Sequence, residues 1–272
     1  MSLPGSYDAP VNVLFDLPAP RSGMWLDYVE HGIGPAHVED LARMATDADL
    51  LWADMHTPES WAPVHAWRAL GQLRSADAVD PLVGLLPLVD RDDWIASELP
   101  SVFERIGAPS NGALTVYVEN ERNGRFDRAV AAEALARIAR ADGAHRGAVV
   151  ETLAAVLSRY ATNDPVLNSL VMGCLVDLDA VEKASIMESV FASGRFDLRQ
   201  MGDWEDVQIE LGLLSERTTP SAFRGASAWD FAQQPPAEPL VRQRNSHQAA
   251  GGKARRKRKL ARRARKRNRD RR

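Results

Sequence analysis

Cysteine is almost absent: the 272-residue chain has one, Cys174, inside the apolar run from Leu170 to Leu178. A lone thiol cannot close a disulfide within the chain or complete a four-cysteine zinc site, which predicts a fold held by its own core in a reducing, cytoplasmic setting. Long apolar runs are missing too. No stretch reaches the roughly 18 to 20 residues that a bilayer-crossing helix needs. Asp8 precedes VNVLFDLPAP, and Asp16 and prolines interrupt it, so neither a membrane span nor a secretion signal is expected. Strand-like alternation occurs only in Val11-Asn12-Val13-Leu14-Phe15, and one short strand cannot build a sheet. There is no Gly-rich phosphate loop, because Gly32-Ile33-Gly34-Pro35 has no lysine after it and no strand before it.

What is present is an uneven distribution of charge. The net charge of -3 conceals a basic end, KARRKRKLARRARKRNRDRR (253–272), with 14 of the 34 Lys and Arg and one of the 37 Asp and Glu. The tail therefore stands at +13 and the other 252 residues at -16. Such asymmetry marks an interaction tail, able to meet an acidic surface of its own chain as well as a polyanion.

From about residue 22 to 214 apolar residues recur at three and four, and Gly, Pro, Asn and Asp mark breaks every 12 to 20 residues, which predicts an all-α body. A two-helix unit repeats within it. HAWRALGQLRSADAVDPLVGLLPL (65–88) reads as one helix with Ala66, Ala69, Leu70 and Leu73 on a face, a turn, and a second helix with Val79, Leu82, Leu85 and Leu86 inward. The same grammar returns at 98–120, 129–160 and 166–191, and the last apolar residues of the first helices, Leu73, Ile106, Ile138 and Leu178, are 33, 32 and 40 residues apart. That period belongs to an α-solenoid of stacked helix pairs. Gly-Arg-Phe-Asp occurs at both 124–127 and 194–197, and both copies read as a corner where Gly ends one helix and Asp caps the next. The chain then divides into an extended N-terminal segment (1–21), a solenoid (22–214) that opens with a helical pair over roughly 22–52, a Pro- and Gln-containing flexible linker (215–252), and the basic tail (253–272).

The paired repeats resemble HEAT repeats, and WAPVHAWRALGQL, DDWIASELPSVFERIG and MGDWEDVQIELGLL resemble a group of bacterial HEAT-like proteins of unassigned function. The resemblance covers roughly residues 22–214 and implies an armadillo-like protein-binding scaffold with no catalytic residues to carry over. Some members of that group are followed by a CxC...CC metal motif, and this chain lacks one.

Candidate chemistry is sparse. HEAT-like di-iron hydroxylases use His-Glu pairs, and none occurs here. Asp54, His56 and His65 could contribute to a zinc site if a fourth ligand approached, but their positions read better as loop and helix start. HEAT-like base glycosylases hold a cationic base with tryptophans and a carboxylate. Trp61, Trp67 and Trp94 beside Asp92 and Asp93 make a similar set, although Trp67 falls on the core face and Asp92 or Asp93 suits the cap of a helix starting at Trp94. Cys174 lacks a histidine close in sequence and reads as core. The acidic residues Asp92, Asp93, Glu98, Asp203, Glu205 and Asp206 are the candidate partner surface.

In the tail, Lys253, Arg255, Arg256, Lys257, Arg258, Lys259, Arg262, Arg263, Arg265, Lys266, Arg267 and Arg269 offer phosphate neutralisation without an aromatic stacking platform, so contact with RNA or DNA is expected to be salt-dependent and blind to sequence. The tail reads as disordered when free and singly helical when its charge is neutralised. The whole is expected to be a monomeric, non-enzymatic adaptor that needs no cofactor or metal. It binds a protein on its solenoid and nucleic acid through its tail, and a HEAT-like base glycosylase is the alternative.

Overall fold

The structure is a computed structural model that describes residues 6–21, 23–54 and 57–220. Residues 1–220 form one compact unit, and the basic tail and most of the linker lie outside the described residues. Among the described residues all regular structure is helical, apart from an isolated antiparallel bridge between Arg21 and Met24. None of their helices is long and apolar enough to cross a membrane.

The α-helices, in chain order, are α1 (Val38–Ala45), α2 (Ala48–Leu51), α3 (Ala62–Leu73), α4 (Val79–Val83), α5 (Asp93–Ile106), α6 (Asn111–Glu119), α7 (Arg125–Ala141), α8 (Arg146–Ser158), α9 (Pro165–Asp177), α10 (Ala184–Ser193), α11 (Leu198–Met201) and α12 (Trp204–Leu211). They pack in sequence order as two rows. Along the first, α1 meets α3, α3 meets α5, α5 meets α7, α7 meets α9 and α9 meets α11; along the second, α4 meets α6, α6 meets α8 and α8 meets α10. Helix α7 also touches α6 and α8, so it sits within both rows. Its composition permits this. Ala131, Ala132, Ala134, Ala136 and Ala139 are all buried, and such short side chains let neighbouring helices approach closely around Val130, Leu135 and Ile138.

The second helix of the first repeat is shorter than its apolar pattern predicts. Val79, Leu82, Leu85 and Leu86 all point inward as expected, but α4 stops at Val83 and the chain continues as a 3-10 turn over Leu86–Leu88. Gly84 and Pro87 remove the preference and the donor that would continue the helix.

The N-terminal part departs most from expectation. VNVLF is a 3-10 helix rather than a strand, and Tyr7, Val11, Leu14, Phe15 and Leu17 belong to the same core as the repeats. The helical pair expected over roughly 22–52 is confined to its end, as α1 and the single turn α2, which are preceded by loops and two short 3-10 turns, Val29–His31 and Pro35–His37. Prolines and glycines here favour tight turns, and the loop gains its order from polar contacts with α3.

Those contacts involve a stripe of α3, His65, Arg68 and Gln72, spaced three and four apart and therefore on one face. His65 bonds the Tyr28 hydroxyl at 2.8 Å and the Pro18 carbonyl at 3.0 Å. The guanidinium of Arg68 donates to the carbonyl oxygens of Met24 at 2.9 Å and Arg21 at 3.0 Å. Its other edge donates twice to the Glu98 carboxylate of α5, both at 2.8 Å. Gln72 accepts from the Tyr28 N–H at 2.9 Å. Gly71 is needed beside this stripe, since a Cβ there would stand 3.2 Å from the Trp25 ring and 3.3 Å from the Val102 Cα.

Breaking the buried pair from one side is expected to be costly. Arg68→Met should lower the unfolding free energy by about 3 to 5 kcal/mol, because Glu98 keeps a buried charge without its partner. Adding Glu98→Leu should recover only part of that loss, since the carbonyls of Arg21 and Met24 remain without donors; urea unfolding of the two variants measures the difference.

Candidate functional site

The acidic residues expected at a partner surface have different fates. Glu98 is buried against Arg68 and is not on a surface at all. The reason is helical register: Ile95, Leu99 and Val102 mark the inward face of α5, and position 98 falls among them, where a carboxylate is stable only with a guanidinium facing it. Asp92 caps α5 by accepting from the Trp94 N–H at 2.7 Å, and burial pushes its carboxyl above the usual range while the N–H groups of Trp94 and Ile95 pull it back. Asp93 is exposed in the first turn.

Asp203, Glu205 and Asp206 do come together at the start of α12, but they face the chain itself. Arg217 donates to both oxygens of Asp203, at 2.9 and 2.7 Å, and its guanidinium stands 3.1 Å from Asp206. Glu205 accepts from the N–H groups of Thr218 and Thr219 and from the Thr218 hydroxyl, which draws its carboxyl below the usual range. Residues 215–220 thus close onto α12 instead of starting the linker. The twelve tail residues proposed to contact nucleic acid lie outside the described residues.

The tryptophans separate similarly. Trp67 is fully buried and donates its ring N–H to the Ala45 carbonyl at 2.8 Å, so it offers no face to a base. Trp61 and Trp94 are half-buried and pack edge to face, with ring centroids 5.3 Å apart. Among the described residues no group of three or more His, Cys, Asp and Glu is placed to hold a metal; His56 lies outside them, and His65 is part of the α3 stripe. Cys174 is buried, as its apolar run predicts.

The two Gly-Arg-Phe-Asp copies prove unequal. Gly194 ends α10 in the left-handed conformation (φ 68°) and Asp197 caps α11 through the Arg199 N–H, as both copies were expected to do. Gly124 instead begins α7, and Asp127 reaches back to accept from its N–H at 2.9 Å.

One surface feature was not anticipated. The C-terminal ends of α3, α5 and α7 border an open cleft of about 630 Å³, lined among others by Trp25, Arg74, Glu104, Arg105, Ile138 and Asp142. Arg105 stacks on the Trp25 ring, 4.2 Å from its centroid, and both Arg74 and Arg105 are exposed. Glu104 faces Arg137 at 3.5 Å. Arginines in the last turn suit the negative end of a helix. The cleft therefore presents a flat aromatic–guanidinium stack beside mixed charges. Its signal was present in the repeat alignment: Leu73, Ile106 and Ile138 each stand at or near the end of a first-row helix, so the residues after them line one edge of the stack. No family model, curated protein or solved structure matches this chain.

His65 gives a pH test of the contacts that fix Trp25. Burial lowers its pKa from 6.5 to about 4, with the Pro18 carbonyl opposing and Arg68 assisting. A proton on the second ring nitrogen would remove the acceptor that meets the Tyr28 hydroxyl. Because the folded value lies below the unfolded one, this contribution to stability is complete above pH ~6.5 and falls by about 1.4 kcal/mol per unit as the pH drops toward ~4. Unfolding free energies measured between pH 7 and 4.5 should show that slope in the parent protein and lose that component in His65→Asn.

Proposed function

We propose that the chain is a non-catalytic scaffold of HEAT-like type, an α-solenoid that holds a protein partner along the edge formed by its first-row helix ends while residues 253–272 attach it to RNA or DNA. The observation that carries this reading is the packing order: each helix of a row meets the next of the same row. Elements that touch chiefly their neighbours make extended surfaces suited to gripping another chain. Fold alone does not assign a function; the Trp25–Arg105 stack adds support for a binding edge, because Trp and Arg are among the residue types that dominate binding energy at protein interfaces. The alternative, a base-excising enzyme, has lost Trp67 to the core and Asp92 to a cap, which leaves it the weaker support.

The partner edge is tested by changing surface atoms only. Arg74→Glu with Arg105→Glu, both exposed side chains of the cleft, should reduce capture of the partner on immobilised protein by at least about tenfold, since each of two interface anchors is commonly worth ~1 to 2 kcal/mol. Equal capture, with unchanged thermal unfolding, would place the partner elsewhere.

The tail makes a separate prediction. Full-length protein should retain single-stranded nucleic acid at low salt and release it steeply as salt rises, because neutralised phosphates set the salt slope. Residues 1–252 should retain little under either condition; equal retention by the shortened chain would overturn the role given to the tail.

A further inference from the structure

Arg128 is a buried cation with an unused donor. It lies in the first turn of α7, is 4% exposed, and donates from Nε to the Val118 carbonyl at 2.8 Å. Its Nη2 is buried without a hydrogen-bond partner. Among the described residues no carboxylate comes within ion-pairing distance of it. Asp127, its neighbour in sequence, turns its carboxylate to the Gly124 N–H and, at 3.3 Å, to the Tyr117 hydroxyl. A guanidinium taken out of water in this way is stable only if something meets its free N–H groups.

The same side chain lines a hollow of about 170 Å³, together with Glu121, Arg125, Thr162, Asn163 and Asp164. Two helices begin at this hollow, α7 with 17 residues and α9 with 13. At both starts a carboxylate already accepts a backbone N–H, Asp127 from Gly124 and Asp164 from Val166, so the attraction for a further anion rests on Arg128 and not on the helix dipoles. The two carboxylates at the rim already have cationic partners: Asp164 pairs with Arg125 at 2.8 Å and Glu121 with Arg159 at 3.0 Å. Arg128 is the cation left over. Burial, and then the like charge of Arg159, pull its pKa below the usual arginine range against the opposing charges of Glu121 and Asp127, and an anion beside the guanidinium would add to that opposition.

We propose that the hollow between the starts of α7 and α9 is a binding site for a single phosphate group, with Arg128 as the buried donor and Arg125 at its rim. With about 170 Å³ the hollow is small, so a larger ligand enters phosphate first. The site is independent of the scaffold reading and of the basic tail.

The test uses the full chain and inorganic phosphate as the probe, with ionic strength held constant by chloride. Arginine Nε–H resonances are followed by NMR, and Arg128→Lys assigns the Arg128 signal. The expected result is a saturable shift at Arg128, fitting one dissociation constant. Thr162→Asp, which alters an exposed side chain at the mouth, should weaken the apparent affinity by at least about tenfold through charge repulsion while thermal unfolding stays unchanged. If Arg128→Lys fails to fold, that comparison still decides the matter on the signals that respond in the parent protein. A single-stranded oligonucleotide that displaces phosphate from Arg128 identifies a nucleic-acid backbone as the source. Failure to displace it identifies free phosphate or a small phosphomonoester, and either result supports the site. The proposal is overturned if Arg128 does not respond, or if it drifts linearly together with every other arginine, because the hollow then holds water only.

Discussion

The four-way engagement of Arg68 is the constraint on which much of the first half of the fold depends. One side chain joins three segments that are far apart in sequence: α3, which carries it; α5, through Glu98; and the loop around residues 21–24, through two carbonyls. A loop without regular structure has backbone groups that need partners, and a guanidinium with five donors is suited to supply them. The Arg68 fork holds the loop, the held loop places Trp25 over the end of α5, and Trp25 becomes the platform for Arg105. A buried ion pair is weak evidence for net stability, but it is a strong specifier, because few other arrangements satisfy both charges.

The second half solves the same problem mainly with neutral side chains. Asn163 and Asn168 are buried and bond one another at 3.1 Å, while Asn168 also donates to the carbonyls of Tyr160 and Arg195. Ser169 accepts from the Asp197 N–H at 2.8 Å. Together they fix the turn after α10 against α9, as Arg68 fixes the loop before α1. Arg195 completes the set by donating to the Asn163 carbonyl. Buried amides carry no net charge to neutralise, so this end of the body tolerates polar side chains in its interior without a salt bridge.

The parts of this architecture that follow a period were legible in the sequence, and the parts fixed by single long-range contacts were not. Apolar spacing located most of the helices, and Trp67, Val79, Leu82 and Cys174 are buried where that spacing puts them. The cap of α5 was recognisable as Asp92 or Asp93, and Asp92 fills it, because a cap acts within its own helical turn. By contrast, Glu98 looks like any surface carboxylate until Arg68, thirty residues away, is known to face it. VNVLF alternates as a strand does, yet five residues without a pairing partner have no ladder to join, and the core accepts them as a 3-10 turn. The Gly-Arg-Phe-Asp copies show that identical local chemistry can be read in two registers: Gly with φ 68° closes a helix at 194, and Gly in an extended conformation opens one at 124.

These placements change what the charge of -16 means. Counted from the sequence, it suggests an acidic field ready for a basic partner. In the structure, Asp47, Asp92, Asp142, Asp164, Asp197 and Asp203 each cap a helical segment by accepting a backbone N–H. Glu98 is neutralised in the core, and Glu205 holds the turn at 218–219. A carboxylate at a cap already compensates the positive end of a helix, and little of its field extends beyond the first turn. Part of the acidity is therefore a consequence of a body made from many short helices, whose N-termini these carboxylates satisfy. Specific recognition must then come from groups whose capacity the fold leaves unused. Among the described residues, the Trp25–Arg105 stack at the helix ends and the Nη2 of Arg128 at the opposite, N-terminal end of α7 are such features.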